Sequence, residues 1–145
     1  ALPNNKTALF TDTVGFIRDL PHSLVDAFHA TLEVATHADL LLHVVDSASH
    51  ARDEQVDEVN KVLREIGADC VKQLVVWNKI DLTEAQPGVE RGVYGNIARV
   101  RVSAQTGEGL DLLRESLAEY ARAKADARQK AIAEAEFEAQ HDYIN

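Results

Sequence analysis

Three apolar runs, each stopped by a single polar side chain, limit what this chain can fold into. Residues 40–45 run Leu-Leu-Leu-His-Val-Val into Asp46, residues 73–77 run Gln-Leu-Val-Val-Trp into Asn78, and the weaker run 98–102 ends at Ser103. A fourth run, residues 7–11, leads into Asp12. Continuous rather than alternating hydrophobicity belongs to strands covered on both faces, as in a parallel sheet. Helical periodicity fills the gaps. Leu20, Leu24, Phe28 and Leu32 recur every fourth residue after Asp19 and Pro21, and Val56, Val59, Leu63 and Ile66 form a stripe closed by Gly67. Leu110, Leu113, Leu117 and Tyr120 form a third stripe, entered through Gly107 and Gly109. Such alternation predicts an α/β fold, a mostly parallel sheet flanked by helices, with polar residues gathered where open sheets bind ligands. Residues 83–96, with Pro87 and three glycines, read as a surface loop with room for one helical turn.

Composition narrows the function classes. Fifteen basic against twenty-four acidic side chains give a net charge of -9, which argues against a generally basic surface, so no direct DNA binding is expected. No apolar stretch approaches the roughly 18 residues of a membrane helix, so no membrane partner is expected. The single cysteine, Cys70, allows no internal disulfide and fits a reducing, cytoplasmic setting. With 145 residues, one domain is expected, over residues 1–120, followed by an alanine-rich, charged extension over residues 121–145. That extension has high helix propensity and too thin an apolar stripe for a core. It reads as a solvated helical tail, with a docking helix as the alternative. The chain holds no methionine and opens just before an apolar run, so it is read as a piece of a longer protein.

Chemistry concentrates at two motifs. Asp12-Thr13-Val14-Gly15 is a D-x-x-G pattern, and Asn78-Lys79-Ile80-Asp81, 63 positions after Gly15, is an N-K-x-D pattern. In the first, Asp12 is expected to reach Mg²⁺ through a coordinated water, because magnesium keeps most of its waters when few carboxylates bind it. The Gly15 amide is expected to donate to a γ-phosphate oxygen, an approach only glycine permits, and its loss would release the segment around it. In the second, one Asp81 carboxylate accepts from guanine N1–H and from the exocyclic amine. Adenine offers no such pair and would leave the acid unsatisfied. Asn78 is expected to bond purine N7, and the Lys79 stem to lie along the base plane. Ser103 and Ala104, 25 residues after Asn78, brace the pocket, the Ala104 amide donating to guanine O6. The ligand is therefore GTP or GDP with Mg²⁺, and an ATPase is disfavoured by Asp81.

Phe16 follows the D-x-x-G glycine where many GTPases carry a glutamine that orients the attacking water. A phenyl ring cannot do this, so water placement must come from another segment or a partner, and slow intrinsic hydrolysis follows. No G-x-x-x-x-G-K-[ST] phosphate loop occurs in the chain. The six histidines form no ligand-like cluster with cysteines or carboxylates, and His43 inside an apolar run reads as a core histidine. No serine or cysteine hydrolase arrangement is visible.

Residues 11–32, reading T-D-T-V-G-F-I-R-D-L-P-H-S-L-V-D-A-F-H-A-T-L, with A-D-L-L-L-H-V-V-D at 38–46, W-N-K-I-D-L at 77–82 and S-A-Q-T-G at 103–107, resemble the HflX family of ribosome-associated GTPases. Phenylalanine after the glycine marks that family. The resemblance runs from about Leu9 to Tyr120 and implies a P-loop-NTPase-like fold from which the first strand, the phosphate loop and the first switch are missing. It further implies a cytoplasmic GTPase that binds the large ribosomal subunit, splits or rescues stalled ribosomes, and is stimulated by them. The family's N-terminal domain is not in these residues, and the tail after Tyr120 does not match its usual C-terminal region. A non-catalytic scaffold docking to ribosome or another protein is the alternative.

Overall fold

A computed structural model describes residues 2–5, 7–12 and 32–142. Among the described residues four strands make one sheet: β1 (Leu41–Asp46), β2 (Gln73–Asn78), β3 (Gly88–Arg91) and β4 (Ile97–Arg101), in the order β1-β2-β4-β3. β1 and β2 run parallel with Leu41 opposite Gln73 and Asp46 opposite Asn78, and β2 runs parallel to β4 with Val76 opposite Val100. Only β3 is antiparallel, pairing Val89 with Val100 and Glu90 with Arg99. The mostly parallel α/β sheet read from the sequence is therefore what forms.

Helix α1 (Arg52–Glu65) connects β1 to β2. Asp53 and Glu54 sit in its first turn and Arg64 in its last, each sign complementing the nearby end of the helix dipole. Gly67, at φ +75, ends it: the Gly67 amide donates to the Arg64 carbonyl and the Ala68 amide to the Leu63 carbonyl. The helix buries Leu63 with Ala35 and Ala68, and Leu41, Val59, Ile66 and Val71 pack against them. Strand pleating sends Leu74, Val76 and Val100 to the sheet's other face, and all three are buried. Residues 32–36 are helical, and the rest of the stripe read over residues 20–32 lies outside the described residues. Helix α2 (Leu110–Asp142) continues well past Tyr120 without a break.

Two expectations fail. Residues 7–11 form no strand, and Leu9 and Phe10 lie 95% and 63% exposed. A β-prone run is held as a strand by burial of its side chains and by a hydrogen-bonded ladder, and with Leu9 and Phe10 exposed residues 7–11 gain no burial, so apolar character alone does not make them a strand. Residues 83–96 are not a plain loop but include β3, which turns back through Gly92 and Gly95 to β4. Glu90 holds that pairing with one carboxylate oxygen on Arg99 at 3.0 Å and the other on Arg101 at 2.6 Å.

Cα packing divides the chain into two compact units, Ala1–Leu9 with Leu113–Asn145, and Phe10–Leu112. The site residues fall in the second. Among the described residues no helix is long and apolar enough to cross a membrane.

Candidate functional site

Parallel strands end side by side, so their next residues meet. The Ser47 amide and hydroxyl both donate to the Asn78 carbonyl, at 3.0 and 2.6 Å, which ties the end of β1 to the end of β2. The Val102 amide donates to the Trp77 carbonyl at 2.8 Å and the Ile80 amide to the Val102 carbonyl at 3.3 Å, which ties β2 to β4. Asp46, Asn78 and Ser103 thereby stand in a row at the C-terminal lip of the sheet.

After Asn78 the backbone changes hand. Lys79 takes φ 68, ψ 33, and residues Ile80–Leu82 form one 3-10 turn that sinks Ile80 into the interior at 2% exposure. Burying Ile80 leaves Asp81 on the exposed side of that turn. Its carboxylate is not left to rotate. The Ser103 hydroxyl donates to Asp81 Oδ1 at 2.6 Å, and the same oxygen of Ser103 accepts from the Thr106 amide at 3.1 Å. Among the described residues no donor meets Asp81 Oδ2. Ser103 is fully buried, its own amide bound to the Glu108 carbonyl and its carbonyl to the Gly107 amide, both at 2.8 Å. A rigid loop thus fixes one carboxylate oxygen and leaves the other for a ligand.

Asn78 is fixed in the same manner. Its Oδ1 accepts from the Ala104 amide at 2.9 Å, leaving the carboxamide NH₂ as a donor. The Ala104 amide expected to meet guanine O6 is therefore engaged by Asn78, the acceptor next to it. Lys79 Nζ pairs with Asp46 Oδ2 at 2.8 Å, and Asp46 Oδ1 accepts from the Ala48 amide at 3.0 Å. The Lys79 hydrogen bond holds the Asp46 carboxyl below its ordinary range; burial opposes this and the Ala48 amide assists it. Behind the lip, the guanidinium groups of Arg52 and Arg99 each lie over the Trp77 ring, 4.4 and 3.8 Å from its centre.

Asn78, Lys79, Asp81, Ser103 and Ala104 are thus assembled into one hydrogen-bonded group. Asp12 ends the exposed run 7–12, and among the described residues no hydrogen bond joins it to that group. Gly15 and Phe16 lie outside the described residues. Sequence reading gave no role to Asp46, Ser47 or Thr106. The signal was available in part, since Asp46 ends an apolar run just as Asn78 does, and parallel register makes such run-ending residues neighbours.

A sheet of this order, with N-K-x-D after one strand and Ser-Ala after the next, defines the guanine-nucleotide-binding GTPase class. The chain belongs to the family described as 50S ribosome-binding GTPases, whose model matches residues 2–79. Within it the similarity is to HflX. GTPase HflX of Caldanaerobacter subterraneus is 47% identical over 116 residues, covering 80% of this chain and 26% of that protein. GTPase HflX of Escherichia coli is 47% identical over 112 residues, covering 77% of this chain and 26% of that protein. The chain therefore spans about a quarter of the length of these curated relatives. A GTP-binding protein from the archaeon Sulfolobus solfataricus, solved in complex with GDP, matches with a TM-score of 0.62 and 31% identity, over 77% of this chain and 39% of that one.

Proposed function

We propose that this chain is the guanine-selecting and second-switch portion of an HflX-type GTPase, which couples GTP hydrolysis to binding the large ribosomal subunit or splitting the ribosome in the cytoplasm. The observation that carries the guanine part is Asp81, with one oxygen held by buried Ser103 and the other met by no donor among the described residues. That arrangement suits a base edge with two adjacent N–H donors and leaves a penalty for adenine, whose edge offers no such pair. The Asn78 carboxamide, with its oxygen occupied by Ala104, presents NH₂ donors of the kind N7 requires.

At the phosphate end, Asp12 is an exposed carboxylate, which fits a contact to Mg²⁺ through water but not a full coordination shell. Gly15 donates to the γ-phosphate, and Phe16 cannot orient water, so hydrolysis depends on groups other than Phe16. Magnesium, when bound, neutralises the developing phosphate charge; this chain's share is to align Asp12 and to hold the base.

No phosphate-loop motif occurs in the 145 residues, so the chain alone binds nucleotide weakly and does not hydrolyse it. The same observation favours the second reading, a non-catalytic docking scaffold. Calorimetry with GDP separates weak from tight binding, and a sub-micromolar dissociation constant overturns the weak-binding claim. For the guanine assignment, millimolar GDP, ADP and XDP are titrated into the chain and followed by ¹H–¹⁵N NMR. GDP is expected to bind in preference to ADP, and Asp81→Asn to move the preference from GDP to XDP. Equal shifts with GDP and ADP, or an Asp81→Asn chain with unchanged GDP affinity, refute it.

A further inference from the structure

We propose that Asp46 is a positioning residue for guanine binding: by anchoring the Lys79 ammonium it fixes the lysine stem against which the purine face rests. The inference rests on the guanine reading above and adds to it a residue that does not itself touch nucleotide.

Lysine is a poor wall for a base unless something holds it. Its four-carbon stem samples many rotamers, and ordering it only when ligand arrives weakens binding. Here the Lys79 side chain is half exposed, yet its Nζ sits 2.8 Å from Asp46 Oδ2. Two features of the fold produce that contact. The β1–β2 register sets Asp46 opposite Asn78, one residue before Lys79, and the left-handed backbone at Lys79 lets its side chain reach the end of β1.

Asp46 is itself fixed. Its Oδ1 is bound by the Ala48 amide at 3.0 Å, its carbonyl accepts from the Ser49 amide at 3.2 Å, and neighbouring Ser47 is doubly bonded to the Asn78 carbonyl. A carboxylate with one oxygen held in its own turn presents the other in a defined direction. Lys79 also keeps the Asp46 carboxyl below its ordinary range, so the anchor is charged throughout neutral pH.

An ion pair exposed to this degree, 50% and 35% for the two side chains, contributes little to folding. Its loss therefore registers in ligand affinity rather than in stability. That difference separates a positioning role from a structural one.

The test uses the whole chain as wild type, Asp46→Ala, Lys79→Met and the double variant, with GDP and ADP as probes in NMR titrations. Asp46→Ala is expected to weaken GDP about fivefold while leaving the thermal midpoint within about 3 °C. In the Lys79→Met background, which keeps an unbranched stem but no ammonium, Asp46→Ala is expected to change nothing further. Without nucleotide, the Lys79 side-chain methylene signals are expected to be dispersed in the wild type and to collapse toward random-coil positions in Asp46→Ala. The proposal is overturned if Asp46→Ala binds GDP as the wild type does, if it costs as much in the Lys79→Met background, or if the methylene signals do not change. A wild type that GDP shifts no more than ADP sinks the guanine reading and this proposal with it. That outcome is distinct from a GDP-preferring wild type whose GDP affinity survives Asp46→Ala.

Discussion

Ser103 shows how much one small side chain can settle. Its hydroxyl donates to Asp81 and accepts from the Thr106 amide, while its backbone closes both sides of the 103–109 loop. Ser103→Ala removes two hydrogen bonds at a site with no solvent exposure. Thr106 is exposed and can turn its amide to water, so the cost is moderate: about 1–2 kcal/mol, read as a shift in urea midpoint at unchanged slope. Guanine affinity is expected to fall further than stability, since Asp81 regains its freedom. His43 makes a different prediction. Burial pushes its pKa below the ordinary value of 6.5, and a hydrogen bond with Gln73 only partly offsets this. A base whose pKa is lowered by folding binds more protons in the unfolded state below pH 6.5. Stability is then complete above that pH and falls as pH drops through it toward the folded value. Thermal melts between pH 7.5 and 5.5 are expected to show that loss, and His43→Leu is expected to flatten it. Equal pH slopes in the two proteins would rule out His43 as the source.

Loops that look alike in sequence differ sharply as elements. Gly95 and Gly109 both sit at φ +79, and both would read simply as turn glycines. A Cβ on Gly95 meets nothing within 4 Å, whereas one on Gly109 runs into the Arg101 carbonyl oxygen. Gly95→Ala therefore bears only the left-handed backbone penalty, about 1–2 kcal/mol. Gly109→Ala adds a clash with strand backbone that cannot yield, and is expected to cost about 3 kcal/mol or more. Denaturant midpoints measure both, and equal losses would contradict the close approach of Gly109 to β4. Such contrasts mark the limit of reading from sequence. The strands at 41–46 and 73–78 were legible as apolar runs with a polar stop, 97–101 more weakly because Arg99 and Arg101 interrupt its run, and α1 because its stripe and closing glycine agree. β3 was hidden because its pairing depends on Glu90 meeting Arg99 and Arg101 across the sheet, which no local pattern announces. Residues 7–11 erred in the other direction, with strand-like residues whose side chains are left exposed rather than buried. In the site, residue types announced Asn78, Lys79 and Asp81, whereas Asp46 and Thr106 became visible only once register and loop closure were known.

At the scale of the whole molecule, the net charge of -9 is unevenly spread, and α2 shows it most plainly. Beyond Tyr120 the helix carries Arg122, Lys124, Arg128 and Lys130 first, with Asp126 among them, and then Glu134, Glu136, Glu138 and Asp142. Acids near a helix C-terminus oppose its dipole, and the Lys130–Glu134 pair at 3.8 Å runs in the less favourable order. What supports the helix there is alanine, the residue with the highest intrinsic helix propensity. Its side chains are exposed from Arg122 to Gln140, and even Ile132 and Phe137 remain 44% and 61% exposed. The first turns differ, because Ser116, Leu117 and Ala118 are buried. A chain ending at Ala121 keeps those three residues and the whole guanine-facing group. It is expected to melt within about 3 °C of the full chain, to lose helical signal in far-UV circular dichroism, and to bind GDP unchanged. A midpoint lowered by 10 °C or more would mean that residues 122–145 bury surface their exposure does not reveal. Weaker GDP binding at an unchanged midpoint would instead connect the tail to the nucleotide site.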